Sequence, residues 1–312
     1  MSRIHEALKK AEQERTATQG GAVQPNFATT PVAEPPVFAE PPVAAVVDAS
    51  PAMARPGMPA FTSPFSIDTL LARCAQLEWK PDPTTMLFLT GDDSARGTEE
   101  FRTLRSRLYH LREKMPLKKL LVTSALPKEG KSFMSANLAQ VMVRQHGRRT
   151  LLIDADLRAP RLHTMLGTTS DPGLSDYLLG KNDEFSIMQR GPLENLFFIP
   201  SGTGVTDPAE LIGNGGLKML LQRVEPLFDW IIIDSPPAVP VSDASVLGKV
   251  CDGVLMVVRS NATPFDVARK ARQEFPDQAL VGVVLNGTRE DAVPYARYYY
   301  ESYQQKATTT KA

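Results

Sequence analysis

The sequence predicts an α/β domain built on a mostly parallel sheet flanked by helices. Three observations carry this. Six runs, "LLVTSA", "TLLIDAD", "NLFFIPSG", "WIIIDSPP", "GVLMVVRS" and "ALVGVVLNG", are almost continuously apolar. Strands buried on both faces read this way, whereas half-exposed strands alternate. Helical patterns lie between the runs, as at 131–146 and 265–275. Strand and helix in alternation are the signature of a parallel sheet with crossover helices.

Taken in order, residues 1–15 predict a short amphipathic docking helix. Ile4, Ala7, Leu8 and Ala11 form an apolar stripe, and the surrounding charges are mixed. A helix this short is marginal alone, so it is expected to dock on a partner. Residues 16–64 contain stretches such as "VAEPPVFAEPPVAAVV". Prolines this dense block helices and remove ladder donors, so a disordered linker is expected. Residues 65–290 hold the α/β domain. Residues 291–312 lack apolar periodicity and are expected to form a flexible tail, although five of the seven tyrosines fall there.

Composition narrows the function. The formal net charge is zero across 312 residues, which gives no support for a nucleic-acid partner. Cys74 and Cys251 have no metal-ligand spacing and suit inert thiols in a reducing compartment. No apolar run approaches the roughly 18 residues that span a bilayer. A cytoplasmic protein is expected, reaching the inner face of the plasma membrane only through a partner.

The chemistry concentrates after the first strand. "SALPKEGKSF" links that strand to a helix and fits a P-loop, with Ala125 at the first glycine position and Gly130, Lys131 and Ser132 closing it. Backbone N–H groups of Pro127 through Phe133 (the proline excepted) would curl around phosphate, and the helix adds its positive end. In this reading Lys128, Glu129 and Gly130 count among the nucleotide-binding residues, Lys131 bridges the β- and γ-phosphates, and the Ser132 hydroxyl ligates Mg²⁺. Acidic partners stand at two further strand ends: Asp154 and Asp156 in "LLIDADLRAPRLH", followed by Arg158, and Asp234 in "WIIIDSPP". Carboxylates at the carboxyl ends of parallel strands face the same crevice as the loop. The expected fold is therefore a P-loop NTPase using ATP and Mg²⁺.

This combination resembles the bacterial tyrosine kinases of exopolysaccharide and capsule loci. The motifs that carry the resemblance are "ALPKEGKS", "LLIDADLRAPRLH", "GLSDYLLG", "IPSGTGVTDPAELI", "IIIDSPP", "GVVLNGT" and "YARYYYESY". The opening "MSRIHEALKKAE" is similar to stand-alone cytoplasmic autokinases whose membrane activator is a separate chain. The resemblance implies that Lys131, Asp154, Asp156 and Arg158 are catalytic, Asp154 as base or orienter. It implies that Ser132, Asp156 and Asp234 organise the metal and that Asn286 reads the adenine edge. It implies a ring assembled through Glu99, Arg102 and Arg105 of "EEFRTLR"; from physics alone these are within-helix ion pairs. A cognate tyrosine phosphatase is a further implied partner. The family commonly has glycine where this chain has Lys128, a departure that bears on the loop backbone.

The resemblance also accounts for the tyrosines. Tyr295, Tyr298, Tyr299, Tyr300 and Tyr303 are the implied phosphoacceptors, because a free tail can enter a neighbour's site and a core tyrosine cannot. Two other readings share the P-loop. A partitioning-type ATPase usually has a lysine five positions before the main one, where this chain has Leu126. A nucleotide-gated adaptor of polysaccharide export without kinase chemistry remains open at this level.

Overall fold

The structure is a computed structural model that describes residues 66–88, 97–145 and 147–288. The expected docking helix of residues 1–15, the expected linker of residues 16–64 and the expected tail of residues 291–312 lie outside the described residues.

Eight strands form one sheet in the order β1-β4-β5-β3-β6-β2-β7-β8. They are β1 (Ala75–Gln76), β2 (Lys119–Ser124), β3 (Thr150–Asp154), β4 (Gln189–Arg190), β5 (Leu196–Ile199), β6 (Trp230–Asp234), β7 (Gly253–Arg259) and β8 (Leu280–Asn286). Every predicted apolar run is one of these strands. Neighbouring pairs are parallel except β4 against β5. The two-residue strands β1 and β4 were not expected; they are too short to leave a periodic trace.

The helices are α1 (Ile67–Arg73), α2 (Thr98–Arg112), α3 (Lys131–Val143), α4 (Leu162–Leu166), α5 (Leu174–Leu178), α6 (Pro208–Gly213), α7 (Gly216–Val224), α8 (Asp243–Gly248) and α9 (Phe265–Gln273). α3 and α9 begin where the sequence predicts. They end a few residues early, α3 before the left-handed Gly147 and α9 before Pro276.

The continuous apolarity of the strands has its expected cause. Leu121, Ile153, Ile231, Ile233, Val254 and Met256 face one core with α5, α7 and α8. Leu120, Val122, Leu152, Ile232, Leu255 and Val257 face the other with α2 and α3. Ile232 is fully buried; truncation to alanine at such a site costs about 2–5 kcal/mol. Packing of this kind fixes the sheet, and the sheet fixes where its strand ends fall.

Those ends are in step. Asp154 at the end of β3 lies opposite Asp234 at the end of β6, and Val122 of β2 also pairs with Asp234. Arg259 at the end of β7 pairs with Asn286 at the end of β8. The P-loop of residues 125–130 leaves β2 in the middle of this row. Among the described residues no helix is long and apolar enough to cross a membrane. Cys74 and Cys251 are free thiols, and burial pushes both pKa values up, Cys74 to about 11. A raised pKa keeps both as thiols rather than thiolates at neutral pH.

Candidate phosphate-binding site

The loop between β2 and α3 turns twice through left-handed backbone. Gly130 has φ +98°, a region glycine enters freely, and a Cβ there would collide with the Asn286 amide. Lys128 has φ +66° with its residue exposed. A side chain in this region costs about 1–2 kcal/mol. The departure from glycine at position 128 therefore has a definite backbone consequence: lysine adopts the glycine conformation.

Lys131 and Ser132 open α3 and are both buried. Lys131 Nζ donates to Asp156 Oδ2 at 2.6 Å and lies 3.8 Å from Asp234 Oδ2. The Ser132 hydroxyl donates to Asp234 Oδ2 at 2.6 Å, and Ser135, not anticipated from sequence, donates to Asp234 Oδ1 at 3.0 Å. Asp154 accepts the N–H groups of Asp156 and Leu162, at 3.2 and 3.1 Å, and so folds the segment after β3 back over the strand end. Asp156 also accepts the Ala159 N–H at 3.0 Å.

The electrostatics are unbalanced. Asp154, Asp156 and Asp234 are 0, 3 and 0 % exposed, and Lys131 is the cation that faces them. Burial, then the charge of Asp234, pushes the Asp154 carboxyl up to about 8. Burial also raises Asp234, against the pull of Lys131 and Ser132. Burial alone would lower the Lys131 ammonium; Asp234, Asp156 and Asp154 together reverse this and raise it. Carboxylates crowded until they hold protons are a site short of positive charge.

A magnesium ion fits that deficit. Among the described residues no three His, Cys, Asp or Glu side chains gather as ligands around one point. Ser132, Asp156 and Asp234 would hold the ion with water completing the shell, the usual habit of magnesium.

The remaining expected residues are placed as follows. Pro127 is exposed on the loop. The Phe133 ring packs edge-on against Phe101 at 5.9 Å. Arg158 makes a two-pronged ion pair with Asp243, both bonds 2.8 Å, at the start of α8. Asp243 went unnoticed in the sequence because nothing in "VSDAS" marks a partner 85 positions away. Asn286 sits on the P-loop: its Nδ2 donates to the Glu129 carbonyl at 2.9 Å, and its Oδ1 accepts the Gly287 N–H. Glu129 is buried, and its carboxylate accepts the Leu126 N–H at 2.7 Å and the Thr263 hydroxyl. On α2, Glu99 and Arg102 pair with each other on an exposed flank, whereas Arg105 donates to the Val141 carbonyl of α3 at 2.9 Å. Tyr295, Tyr298, Tyr299, Tyr300 and Tyr303 lie outside the described residues.

Residues 128–266 match the family described as "AAA domain". The chain is 35 % identical to tyrosine-protein kinase YwqD of Bacillus subtilis over 195 residues, 62 % of this chain and 82 % of that one. It is 31 % identical over 225 residues to tyrosine-protein kinase wzc of Salmonella typhimurium, covering 72 % of this chain but 31 % of that longer protein. The kinase domain of the Escherichia coli tyrosine kinase ETK superposes with a TM-score of 0.60 at 30 % identity, covering 65 % of this chain and 80 % of that one.

Proposed function

Since this chain belongs to the family of bacterial tyrosine-protein kinases, we propose that it moves the terminal phosphoryl group of ATP onto the tyrosines of its own C-terminal cluster in a neighbouring copy. Its enzyme class is protein-tyrosine kinase. The observation that carries the reading is the buried set of Lys131, Ser132 and three carboxylates at the ends of β2, β3 and β6.

In this mechanism the N–H groups of residues 128–133 and the start of α3 bind the phosphates. Lys131 exchanges its contact with Asp156 for the phosphate oxygens, and its buried ammonium offsets charge as it builds on the transferred group. A bound magnesium ion supplies the positive charge that the three carboxylates lack and polarises the triphosphate. Asp154 accepts the proton of the attacking tyrosine hydroxyl. Its carboxyl, raised by burial and by Asp234, would be drawn down by the charge of a bound magnesium ion and left ionised for that task. Asp243 holds the Arg158 guanidinium beside the same strand ends, where it serves phosphate or the incoming tail. Asn286 supports the adenine side of the site from the end of β8.

The cellular reading follows the family. The kinase acts in a ring assembled through Glu99, Arg102 and Arg105, is recruited to the membrane by a separate activator chain through residues 1–15, and regulates polysaccharide polymerisation and export. A tyrosine phosphatase resets it. Each phosphate adds about −1.5 to −2 charges, so four bring on the order of −6 to −8. A tail so charged is repelled by Asp154, Asp156 and Asp234, which loosens the ring.

Incubation with ATP followed by intact-mass measurement tests the chemistry. Steps of one phosphate that vanish when all five tail tyrosines become phenylalanine support the kinase; ATP turnover with no mass change refutes it.

A further inference from the structure

We propose that a brace of side chains centred on Glu129 holds the P-loop in its phosphate-binding curve, and that this brace allows a lysine to occupy the left-handed position at 128. The inference rests on the nucleotide-binding reading above and adds a positioning residue to it.

Five bonds meet at the loop tip, one of them a 3.5 Å contact from the Arg259 N–H to the Glu129 carboxylate. Glu129 accepts the Leu126 N–H at 2.7 Å, which closes the loop on itself. Its other carboxylate oxygen accepts the Thr263 hydroxyl, from the turn that follows β7. Arg259, the last residue of β7, donates from Nη1 to the Lys128 carbonyl at 3.2 Å. Asn286, the last residue of β8, donates to the Glu129 carbonyl at 2.9 Å. Three of these partners lie 131 to 157 positions along the chain from the loop.

The arrangement answers two physical difficulties. Lys128 at φ +66° pays a steric cost that glycine would not, so bonds on both sides of that residue must hold it there. A carboxylate in a loop meant for triphosphate would also repel its ligand. Glu129 is 3 % exposed, with one carboxylate oxygen taken by the Leu126 N–H and the other by the Thr263 hydroxyl, so its charge is met by donors within the chain. Bonds to a charged acceptor are the strong class of hydrogen bond, which suits a brace. Glu129 therefore acts on phosphate through the backbone it fixes.

The test uses the full chain, a fluorescent ADP analogue with magnesium, and steady-state tail phosphorylation. Glu129→Ala is expected to weaken nucleotide affinity and raise KM for ATP by about 10-fold or more, the worth of a lost bond to a charged group. Its kcat should stay within about threefold, because the loss is in binding that ground and transition states share. Adding Lys128→Gly to Glu129→Ala should restore most of the affinity, since glycine takes the left-handed turn unaided. Thr263→Val should weaken affinity by about threefold, with Thr263→Ser restoring it; this pair keeps the test decisive if Glu129→Ala misfolds. Unchanged or tighter binding by Glu129→Ala, or no restoration by Lys128→Gly in a folded double variant, overturns the brace alone. A wild-type chain that binds no nucleotide overturns both the brace and the kinase reading.

Discussion

The two ends of the sheet carry charge in opposite ways. At the amino ends of the strands, charges are matched. Lys119 Nζ sits 2.8 Å from Glu225 and 3.0 Å from Asp252, and Asp252 also accepts the N–H groups of Lys118 and Lys119. Asp229 accepts the Arg149 N–H and pairs with Arg148 at 2.8 Å. Burial alone would raise Asp229, but these partners outweigh it and lower its pKa. Burial would lower Lys119, and Glu225 and Asp252 raise it instead. At the carboxyl ends Asp154 and Asp234 shift the other way, upward, because their cation is shared and solvent is absent. One end is an anchor whose charges are satisfied within the chain; the other leaves its buried carboxylates short of positive charge, as the proposed phosphate and metal site would require.

The comparison breaks first at Lys131. Replacement by methionine is expected to reduce autophosphorylation by about 10³-fold or more, read by mass spectrometry of the C-terminal peptide. Retained activity would mean that the carboxyl ends are not where phosphate is bound. Asp154→Asn comes next, with a loss in kcat of about 10²-fold or more.

Asp154 also sharpens the comparison through pH. Its folded-state pKa is raised, so the folded chain holds a proton that the unfolded chain releases near pH 4. Its contribution is therefore fully present below that range and is lost as pH rises toward about 8. Urea unfolding across pH 4 to 8 should show a downward slope that Asp154→Asn flattens. A slope of equal size in the variant would assign the proton elsewhere.

Asp229 predicts the reverse sign. Its pKa is lowered, so its contribution is present above the unfolded carboxylate range and fades as pH falls through the lowered value. Asp229→Ala should cost about 1–3 kcal/mol at neutral pH, chiefly by leaving the Arg149 N–H unpaired, with nucleotide affinity unchanged. The smallest effect belongs to α2. Arg102→Ala should change monomer stability by no more than about 1 kcal/mol, as exposed ion pairs do, while its effect on oligomer mass by light scattering tests the ring.

Much of this was legible in one dimension. Strands buried on both faces need continuous apolar runs, so all six long strands could be read directly. "EGKS" after such a strand and an aspartate closing another mark a phosphate site because the chemistry depends on local spacing. β1 and β4 escaped because two residues carry no period.

The amino-acid sequence by itself determined the layered α/β fold, the P-loop and the acidic strand ends. Their causes are burial and backbone geometry within a few residues of each other. Tertiary structure decided the rest: that Asp243 holds Arg158, that Asn286 and Thr263 close on the loop at Glu129, and that Asp154 lies against Asp234. Those pairings join positions 80 or more residues apart. No local pattern encodes them, because strand order and register are settled only when both faces of the sheet are packed.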